Sequence, residues 1–541
     1  MSQRRASLDL AILCAFCAFL FYYGLGAFGL VGADEPRYAQ VAREMLARHD
    51  WVTPILNGQP WLEKPILLYW EAMVSYALFG VHDWAARVPA AFDATLMVVA
   101  IYLVLRRIRP GIALDAALIT ASATFVFAFA RGASTDMPLA ASFAVALLGW
   151  LGWFVTRHKG YLAAFYVFLG LATLAKGPVA VGLAGLVLLV FIALRRGWSL
   201  IGKSLWAPGM VLWAAVTLPW YVLVQLRTPQ FFQVFFIEHN LERYATNMFH
   251  HRQPFWYFVP VLALGLLPWT AFAIAGMARA CRRWRDVRES EPAAAVPLFL
   301  AVWAAAPVVF FSTSQSKLPG YILPAIAAWT ILAAEYLHER WVASEERATS
   351  RTVTVELHAL AAGVFLGAVL LAPNQMAHLK AKPPGTAIAI AVLAAVIVAV
   401  ALLGRGIGAL GRLRTLTLAA AILVVGFIVK LAAPLVDATQ SARSVEQVVE
   451  RAGSAKLPVT VYKARREVVY GLNFYQNRAI PDLAAGAAPA GKYLLVVPDA
   501  LREEAEVRVM PACAVERGHA DGQRLTVLLV GDLQLCAGRQ P

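Results

Sequence analysis

The chain has 541 residues, of which 60% are hydrophobic and 15% are charged. Soluble globular proteins are about half apolar and about a quarter charged, so the composition excludes an ordinary soluble protein. The net charge is +15, yet the stretch from Asp437 onward carries 13 Lys plus Arg against 12 Asp plus Glu. The surplus therefore lies in the apolar part, where loop topology and anionic headgroups explain it and nucleic-acid binding is excluded.

The N-terminus reads MSQRR and continues as an apolar run from Leu8 to Leu30. This pattern imitates a secretory signal peptide, and Val31-Gly32-Ala33 resembles a cleavage site. The apolar region of a signal peptide is about 7–15 residues, whereas this run is long enough to cross a bilayer as a helix. We therefore predict a first transmembrane helix at this position.

Further apolar blocks of spanning length recur as far as Leu431, and together with the first run they predict thirteen transmembrane helices. The other twelve cover residues 86–105, 112–130, 138–156, 161–175, 178–194, 205–226, 255–277, 296–311, 319–337, 353–372, 386–403 and 414–432. A re-entrant hairpin is the alternative for the short pair 161–175 and 178–194. Basic residues fall in alternate loops, which places the N-terminus in the cytoplasm.

The segments predicted outside are 32–85, 131–137, 227–254, 312–318, 373–385 and everything after about residue 433. The tail changes character and predicts a small soluble α/β domain at 437–541, beside a transmembrane domain at 1–436. Its helical patterns and strand-like runs are Ser444–Ala452, Glu467–Tyr475, Leu501–Val507 and Val459–Tyr462, Tyr493–Val497, Leu525–Val530. Cys513 and Cys536 are a candidate disulfide pair in this tail.

The first outer loop opens with Asp34-Glu35-Pro36-Arg37-Tyr38, at the depth where the first span leaves the hydrocarbon. Two carboxylates at headgroup depth suit acid–base chemistry or cation binding. The alternative is that these residues only begin the next helix, an interfacial amphipathic segment over Arg37–Arg48.

The same loop contains Trp61-Leu62-Glu63-Lys64-Pro65, followed by an amphipathic run over Ile66–Phe79. Proline suits the first helical position, so Lys64 is predicted at a helix N-terminus, where its ammonium favours a phosphate or another anion. The alternative is a lysine that extends to the interface beside Glu63.

A second outer loop, Arg131 to Pro138, places Asp136 just before a proline that begins the next span. Helix capping alone explains this arrangement. It repeats the pattern at Asp34, however, and paired carboxylates are a common acid–base or cation-binding device.

Two later outer loops add candidates. In the 227–254 loop, His239 and Arg243 would share one helical face, and His239 with Glu63 is a candidate divalent-metal site, although zinc usually takes three or four ligands. In the other loop, Lys317 and Tyr321 flank Pro319 at the outer end of a span.

The order and placement of Asp34-Glu35, Glu63-Lys64-Pro65, Asp136 and Lys317…Tyr321 resemble the membrane-embedded C-type glycosyltransferases of the protein-mannosyltransferase superfamily. Within it the chain is most similar to the bacterial lipid A aminoarabinose transferases. This resemblance implies a polytopic α-helical fold of about thirteen spans with outer juxtamembrane helices and a small α/β domain. It also implies inverting transfer of 4-amino-4-deoxy-L-arabinose from undecaprenyl phosphate to lipid A phosphates at the outer face of the bacterial inner membrane, which gives polymyxin resistance.

The chemistry of that transfer suggests roles for the candidates. Catalytic residues are Asp34, Asp136 and Glu35; residues for the donor phosphate are Lys64, Arg243, Lys317, Tyr321 and Arg37; residues for the sugar are Asp34, Asp136, Glu63 and Tyr38. A phosphate acceptor is already anionic at neutral pH, so a strong general base is dispensable. Asp34 and Asp136 would then stabilise the protonated amine and the oxocarbenium-like transition state rather than abstract a proton.

Other functions stay open at this point. A polyprenyl-phosphate-dependent protein or glycan mannosyltransferase would use similar acidic loops. A flippase or transporter should carry its polar residues near the bilayer midplane, whereas here they lie at the outer rim. The sequence has no Walker or dinucleotide-binding motif, so energy would arrive in an activated donor. We expect no obligatory cofactor, with zinc or another divalent metal as a candidate, and a monomer.

Overall fold

In the computed structural model, the described residues are 3–242, 253–285, 291–341, 421, 424–426, 428–453, 457–486, 488–509 and 512–531. The chain divides into two compact units. Unit 1 comprises Met1–Tyr23, Leu62–Glu71 and Arg87–Gly426, and unit 2 comprises Gly24–Trp61, Ala72–Ala86 and Phe427–Pro541. The domain boundary predicted between residues 436 and 437 stays a prediction.

Helices dominate the described chain. In chain order they are α1 Gln3–Cys17, α2 Asp34–Ala47, α3 Leu67–Phe79, α4 Asp83–Ile108, α5 Ala113–Ser122, α6 Thr124–Phe129, α7 Asp136–Thr156, α8 Lys159–Lys176, α9 Val179–Arg195, α10 Ser199–Ser204, α11 Ala207–Arg227, α12 Phe258–Gly265, α13 Thr270–Arg282, α14 Val296–Ser312, α15 Leu323–Trp341, α16 Ala433–Thr439, α17 Arg443–Arg451, α18 Arg466–Gln476 and α19 Arg502–Arg508. Wider π turns cover Ala18–Tyr22 and Phe232–Glu242, and a 3₁₀ turn covers Pro319–Ile322.

Unit 1 has the helices of a membrane protein. Among the described residues, six helices are long and apolar enough to cross a membrane, or seven spans if one bent pair counts as a span. The six are Arg5–Tyr22, Asp83–Ile108, Asp136–Thr156, Ala207–Arg227, Pro292–Ser312 and Pro319–Glu339. The spans predicted at 353–372 and 386–403, and most of 414–432, lie outside the described residues. Membrane spanning is thus confirmed, whereas the number thirteen stays a prediction.

The first predicted span was wrong at its C-terminal end. The helix ends at Tyr22 rather than Leu30, because Tyr23 is extended and Gly24 has φ +70°. Arg131 then caps the helix end, since its Nη1 atom donates to the carbonyls of Leu20 and Tyr23 at 2.9 Å each. The apolar residues that follow lie outside the helix even though their hydropathy continues the run.

Two other predicted spans, 112–130 and 255–277, are broken rather than continuous. The first breaks at Ala123, which is extended between α5 and α6, and the second bends by 118° between α12 and α13. The breaks face each other: Thr124 donates to the Leu267 carbonyl through both its N–H and its hydroxyl, each at 3.0 Å. The Trp269 indole also donates to Ser122 Oγ at 2.9 Å. Each break therefore satisfies polar groups of the other, as an apolar environment requires.

Helices α7 and α8 pack closely because glycines face the partner helix. A Cβ atom on Gly149 would lie 2.8 Å from the Tyr161 carbonyl oxygen, and one on Gly152 would lie 2.8 Å from the Tyr161 ring. Between these two glycines, Trp150 stacks on Phe299 with ring centroids 5.3 Å apart, and it meets Phe191 edge-on at 5.8 Å. This packing fixes the register of α7 against α8, and it therefore places the start of α7 beside the end of α8.

In unit 2, helix α2 carries a short hairpin. Strands β1 (Ile55–Leu56) and β2 (Gln59–Pro60) pair antiparallel across Asn57-Gly58, both of which have positive φ as a tight primed turn requires. The Glu44 side chain of α2 accepts hydrogen bonds from the N–H groups of Asn57 and Gly58 at 2.8 and 3.0 Å. Glu44 therefore fixes the hairpin to α2, and both elements lie between Asp34 and Trp61 in the sequence.

The tail part of unit 2 forms a four-stranded mixed sheet. Its strands are β3 Val459–Val461, β4 Tyr493–Pro498, β5 Ala512–Ala520 and β6 Gln523–Val530, in the order β3-β4-β6-β5. Only β3 and β4 are parallel. Alternate residues cover opposite faces: Leu494 and Val496 pack with α17 and α18, whereas Leu495 and Val497 pack with α19.

The helices and strands predicted for this tail match α17 to α19 and β3, β4 and β6. Strand β5 was not predicted, because it carries Glu516, Arg517 and His519 and contains a bulge between Ala514 and Glu516, so its apolar alternation is weak. Cys513 is disulfide-bonded, whereas Cys14, Cys17 and Cys281 are free. Cys536, its predicted partner, lies outside the described residues.

Candidate active site

Asp136 begins helix α7, where the positive end of the helix dipole favours a carboxylate. Its Oδ1 atom forms an ion pair with the Lys176 ammonium, and the two side chains are 20% and 18% exposed. Lys176 ends helix α8, where the dipole favours a cation, and Gly177 with φ +85° terminates the helix. The α7–α8 packing therefore brings together two charges that are both favoured by their helix termini.

Tyr321 and Gly320 come from the turn that leads into α15. A Cβ atom on Gly320 would lie 2.7 Å from Asp136 Cγ, so the carboxylate rests directly on the glycine backbone. The Lys176 ammonium lies 5.1 Å from the centre of the Tyr321 ring, within cation–π range. The structure thus brings the predicted residues Asp136 and Tyr321 together, and adds Lys176, which the sequence analysis did not select.

Lys317 lies just before the same turn and is 6% exposed. Its ammonium donates to the carbonyl oxygens of Ser314 at 2.5 Å and Gln253 at 3.1 Å. The first bond closes the segment 314–317 on itself, and the second connects this segment to the backbone at Gln253. The phosphate-binding role predicted for Lys317 stays a prediction.

Asp34 begins helix α2 in unit 2, with its side chain 59% exposed. The Arg37 Nη2 atom lies 2.5 Å from Asp34 Oδ1, and this guanidinium is 4.9, 5.1 and 5.6 Å from the ring centres of Trp61, Tyr38 and Tyr470. The structure therefore groups Asp34, Arg37 and Tyr38, all predicted site residues, and surrounds the cation with aromatic rings.

Glu35 is buried, and its Oε2 atom accepts a hydrogen bond from the Val31 N–H at 2.9 Å. This bond closes the turn before α2. In the structure, the Glu35 side chain contacts the backbone just before helix α2. The catalytic role predicted for Glu35 stays a prediction.

Glu63 and Lys64 are half-buried in the segment before α3. The helix begins at Leu67, so the prediction that Pro65 opens it and Lys64 stands directly at its N-terminus was wrong. Glu63, Lys64 and Ile66 are bends instead, because Pro65 disfavours helical geometry at the residue before it.

The predicted metal ligands and one phosphate ligand can be placed only in part. His239 falls in the π turn Phe232–Glu242, but its side chain and Arg243 lie outside the described residues. Over the described ranges, no three His, Cys, Asp or Glu side chains are placed to hold a metal ion. The metal site at Glu63 and His239 is therefore still untested.

Spanning helices with charged and aromatic side chains at their ends define, by comparison with solved structures, a C-type membrane glycosyltransferase fold. The crystal structure of ArnT from Cupriavidus metallidurans bound to undecaprenyl phosphate matches 100% of both chains with TM-score 0.78 and 26% identity. The same protein in the apo state matches 99% of this chain with TM-score 0.76. A family profile described as dolichyl-phosphate-mannose-protein mannosyltransferase matches residues 6–235.

Relatives of known name give the finer assignment. The undecaprenyl phosphate-alpha-4-amino-4-deoxy-L-arabinose arabinosyl transferase of Serratia proteamaculans is 33% identical over 61% of this chain and 59% of its own length. The protein of that name from Pseudomonas aeruginosa is 30% identical over 71% of this chain and 67% of its own. The chain belongs to this arabinosyl transferase family. It spans about three-fifths of the length of most of the curated relatives it matches.

Proposed function

We propose that the chain transfers 4-amino-4-deoxy-L-arabinose from undecaprenyl phosphate to phosphate groups of lipid A. The observation that carries this proposal is the match over the whole chain to a structure described as bound to undecaprenyl phosphate. The names of the relatives support the aminoarabinose as the sugar. Adding this amine would mask negative charge on the cell surface and give resistance to polymyxin and other cationic peptides.

In the proposed reaction, an acceptor phosphate oxygen attacks the anomeric carbon of the sugar. The bond from that carbon to the carrier phosphate oxygen breaks, and its electron pair leaves with undecaprenyl phosphate, so the anomeric configuration inverts. Because the attacking phosphate is already anionic, no strong base is needed. The demand on the protein is to stabilise positive charge on the sugar and negative charge on the leaving phosphate.

Asp136 suits the first of these tasks. Lys176 holds Oδ1, and a carboxylate accepts on both oxygens, so Oδ2 can contact the cationic sugar while the ion pair persists. The Gly320 backbone lies against the carboxylate and prevents it from moving toward the turn that leads into α15. We propose the same stabilising role for the exposed Asp34, with Glu35 as a third acid and with Glu63 and Tyr38 contacting the sugar.

The second task needs cations and hydroxyl donors. We propose Lys64, Lys317, Tyr321, Arg37 and Arg243 for the donor phosphate. The position of Tyr321, whose ring lies beside the Lys176 ammonium, supports its part in this set. Lys176 adds positive charge at the same turn.

The proposal includes the finer topology. We infer thirteen transmembrane helices in a bacterial inner membrane, with the N-terminus in the cytoplasm and residues 437–541 forming a periplasmic α/β domain. We further propose a monomer, and a divalent ion held by Glu63 and His239 if a metal is used. Cysteine accessibility from the two sides of the membrane would test the orientation.

Reconstitution with donor and acceptor lipids tests the activity directly. Purified chain in vesicles should convert lipid A to the aminoarabinose adduct, detected by mass spectrometry. Asp34→Asn, Lys64→Ala and Asp136→Asn should each lower turnover by about 10²-fold or more while expression is kept. Glu516→Gln, which removes a surface carboxylate paired with Arg451, is the matched control. Full activity in all three variants would refute the proposed site.

A protein or glycan mannosyltransferase is the second candidate, because the mannosyltransferase profile matches residues 6–235. Mass spectrometry of cells with and without the chain separates the two, since one predicts modified lipid A and the other modified protein or glycan. A flippase, the remaining alternative, would move the lipid-linked sugar without consuming it.

A further inference from the structure

The short segment from Gly26 to Val31 connects the first span to Asp34 at the start of α2. Its only strand-like pairing in the described chain is an isolated bridge between Val31 and Ser441. Ser441 belongs to the C-terminal part of unit 2. The segment leads directly to a proposed catalytic carboxylate but has no regular structure of its own, so contacts with other residues must fix its position.

Arg443 binds the carbonyl side of this segment. Its Nη1 atom lies 3.4 Å from the Gly26 oxygen, and its Nη2 atom lies 3.5 Å from the Ala27 oxygen. Two carboxylates hold the guanidinium in place. Nε donates to Asp437 Oδ1 and Oδ2 at 3.0 and 3.1 Å, and Nη2 lies 2.8 Å from Asp437 Oδ2. Nη1 donates to Asp83 Oδ2 at 3.1 Å. The planar fork of arginine is suited to this multiple contact.

The amide side of the segment is bound by the same region. The Gly29 N–H donates to Asp437 Oδ1 at 2.7 Å, and the Leu30 N–H donates to the Tyr475 hydroxyl oxygen at 3.0 Å. A Cβ atom on Gly29 would collide with Ser441 Oγ and the Tyr475 hydroxyl, and would lie 2.9 Å from Arg443 Cβ. This approach is so close that only glycine fits.

Helix α18 also contacts α2 itself. The Phe474 carbonyl oxygen accepts from Arg43 Nη1 at 2.9 Å, and the Tyr470 ring lies 5.6 Å from the Arg37 guanidinium. Residues from α16, α17 and α18 therefore contact the segment before Asp34, and α18 also contacts the helix after it. A misplacement of about 1 Å at a reacting group costs about 10²-fold in rate.

We propose that Arg443, Asp437 and Tyr475 are positioning residues that hold Asp34 in its working place, so that the C-terminal part of unit 2 acts in catalysis without touching substrate. The proposal rests on the proposed role of Asp34. It assigns a mechanistic task to side chains more than 400 residues away in sequence from the segment they hold.

Two measurements test it. Tyr475→Phe, which removes one acceptor oxygen, should lower kcat about 10-fold with less than a twofold change in KM for the donor, and Arg443→Met should lower kcat further, with Arg443→Lys recovering part of the loss. Amide hydrogen exchange of the peptide covering Gly26–Leu30 should accelerate in the same order. Tyr462→Phe is the matched control, because Tyr462 donates from a buried site in the same unit to Glu504 at 2.6 Å. It should change neither quantity.

The two readouts separate the ways in which the idea can fail. Unchanged exchange in Tyr475→Phe and Arg443→Met would show that these side chains do not hold the segment. Faster exchange with unchanged kcat would show that they hold it without positioning Asp34, and either result overturns the proposal. A wild-type chain inactive on donor and acceptor lipids would refute the proposed function instead, while the exchange measurement would still report on the contact. If Arg443→Met does not express, Asp437→Asn, which retains Oδ1, replaces it.

Discussion

The regions around Asp136 and Asp34 both pair a carboxylate with a cation, but they bury opposite members of the pair. At Asp136 the carboxylate is largely buried, and it is enclosed by Lys176 and by the Gly320 backbone. At Asp34 the carboxylate is open to solvent, and the cation Arg37 is the buried member, surrounded by aromatic rings. One region therefore presents an acid that is enclosed by protein, and the other presents an acid that is exposed to solvent at a helix start whose backbone is held in place.

This difference has an energetic consequence. Electrostatic interactions are stronger where water is excluded, and a fixed carboxylate pays little reorganisation when charge develops on the sugar. An exposed ion pair contributes about 0–1 kcal/mol and is screened by salt. Substituting the residues that contact Asp136 directly should thus cost more activity than substituting Arg37, the direct partner of Asp34.

The sharpest test of the rigid region is Gly320→Ala. The new Cβ would stand 2.7 Å from Asp136 Cγ, so the carboxylate must leave its position against Lys176. We expect turnover to fall by about 10²-fold, measured in reconstituted vesicles. Gly182→Ala is the control, because a Cβ there meets nothing within 4 Å. Near-normal activity of Gly320→Ala would show that the Gly320 backbone does not fix the position of Asp136.

Lys176→Met should have a smaller effect, because it keeps most of the unbranched side chain and removes the ammonium group at its end. We expect kcat to fall about 10-fold. The double variant with Asp136→Asn should be no slower than Asp136→Asn alone, since the two side chains act as one pair. Lys203→Met, at an exposed site on α10, is the matched control. Additive losses would show that Lys176 works independently of Asp136.

Near Asp34 we expect Arg37→Lys to lower kcat/KM about fivefold, which is about 1 kcal/mol. Lysine keeps the charge but loses the planar group that stacks on the aromatic rings and reaches Asp34. Arg48→Lys, at an exposed position that caps the same helix, is the control. A loss as large as that of Gly320→Ala would remove the contrast between the two regions.

The smallest expected effect concerns the pH dependence of unit 2, which carries Asp34. Burial raises the pKa of Glu446 to about 7, the charge of Glu450 adds to the rise, and a hydrogen bond from Gln476 opposes it. The folded form therefore holds the Glu446 proton to higher pH than the unfolded form, so the contribution of Glu446 to stability is fully present below pH 4.5 and is lost as pH rises toward 7.

Glu446→Gln removes that dependence. It should raise the free energy of unfolding by on the order of 1 kcal/mol at pH 8 and by little at pH 5, measured by thermal unfolding of the full chain. Glu503→Gln, an exposed change on α19, should alter stability equally little at both values. A gain that is the same at pH 5 and pH 8 would exclude titration of Glu446 as its cause.

The sequence predicted what depends on local pattern. Asp34, Asp136 and Tyr321 could be selected because each stands in a polar turn at the start of a helix, and the tail strands because β3, β4 and β6 are continuous apolar runs. The break at Ala123 could not be seen, since Ser122 and Thr124 change the hydropathy little. It exists because a partner, Leu267, is available far along the chain.

Lys176 was missed for a related reason. Its sequence signal, Lys-Gly-Pro between two short apolar runs, resembles Lys64-Pro65 and Lys317-Leu-Pro319 and could have been treated as a third example. Its pairing with Asp136, however, depends on how α7 packs against α8 through Gly149 and Gly152. Hydropathy patterns contain no information about that register.

The paired breaks at Thr124 and Leu267 also bear on how the protein is made. Thr124 is synthesised long before Leu267, so its N–H and hydroxyl enter the membrane without the carbonyl that accepts both in the finished fold. An unsatisfied backbone group in hydrocarbon costs several kcal/mol. The early helices must therefore wait for α12 and α13 in contact with water, with the translocation machinery or with one another.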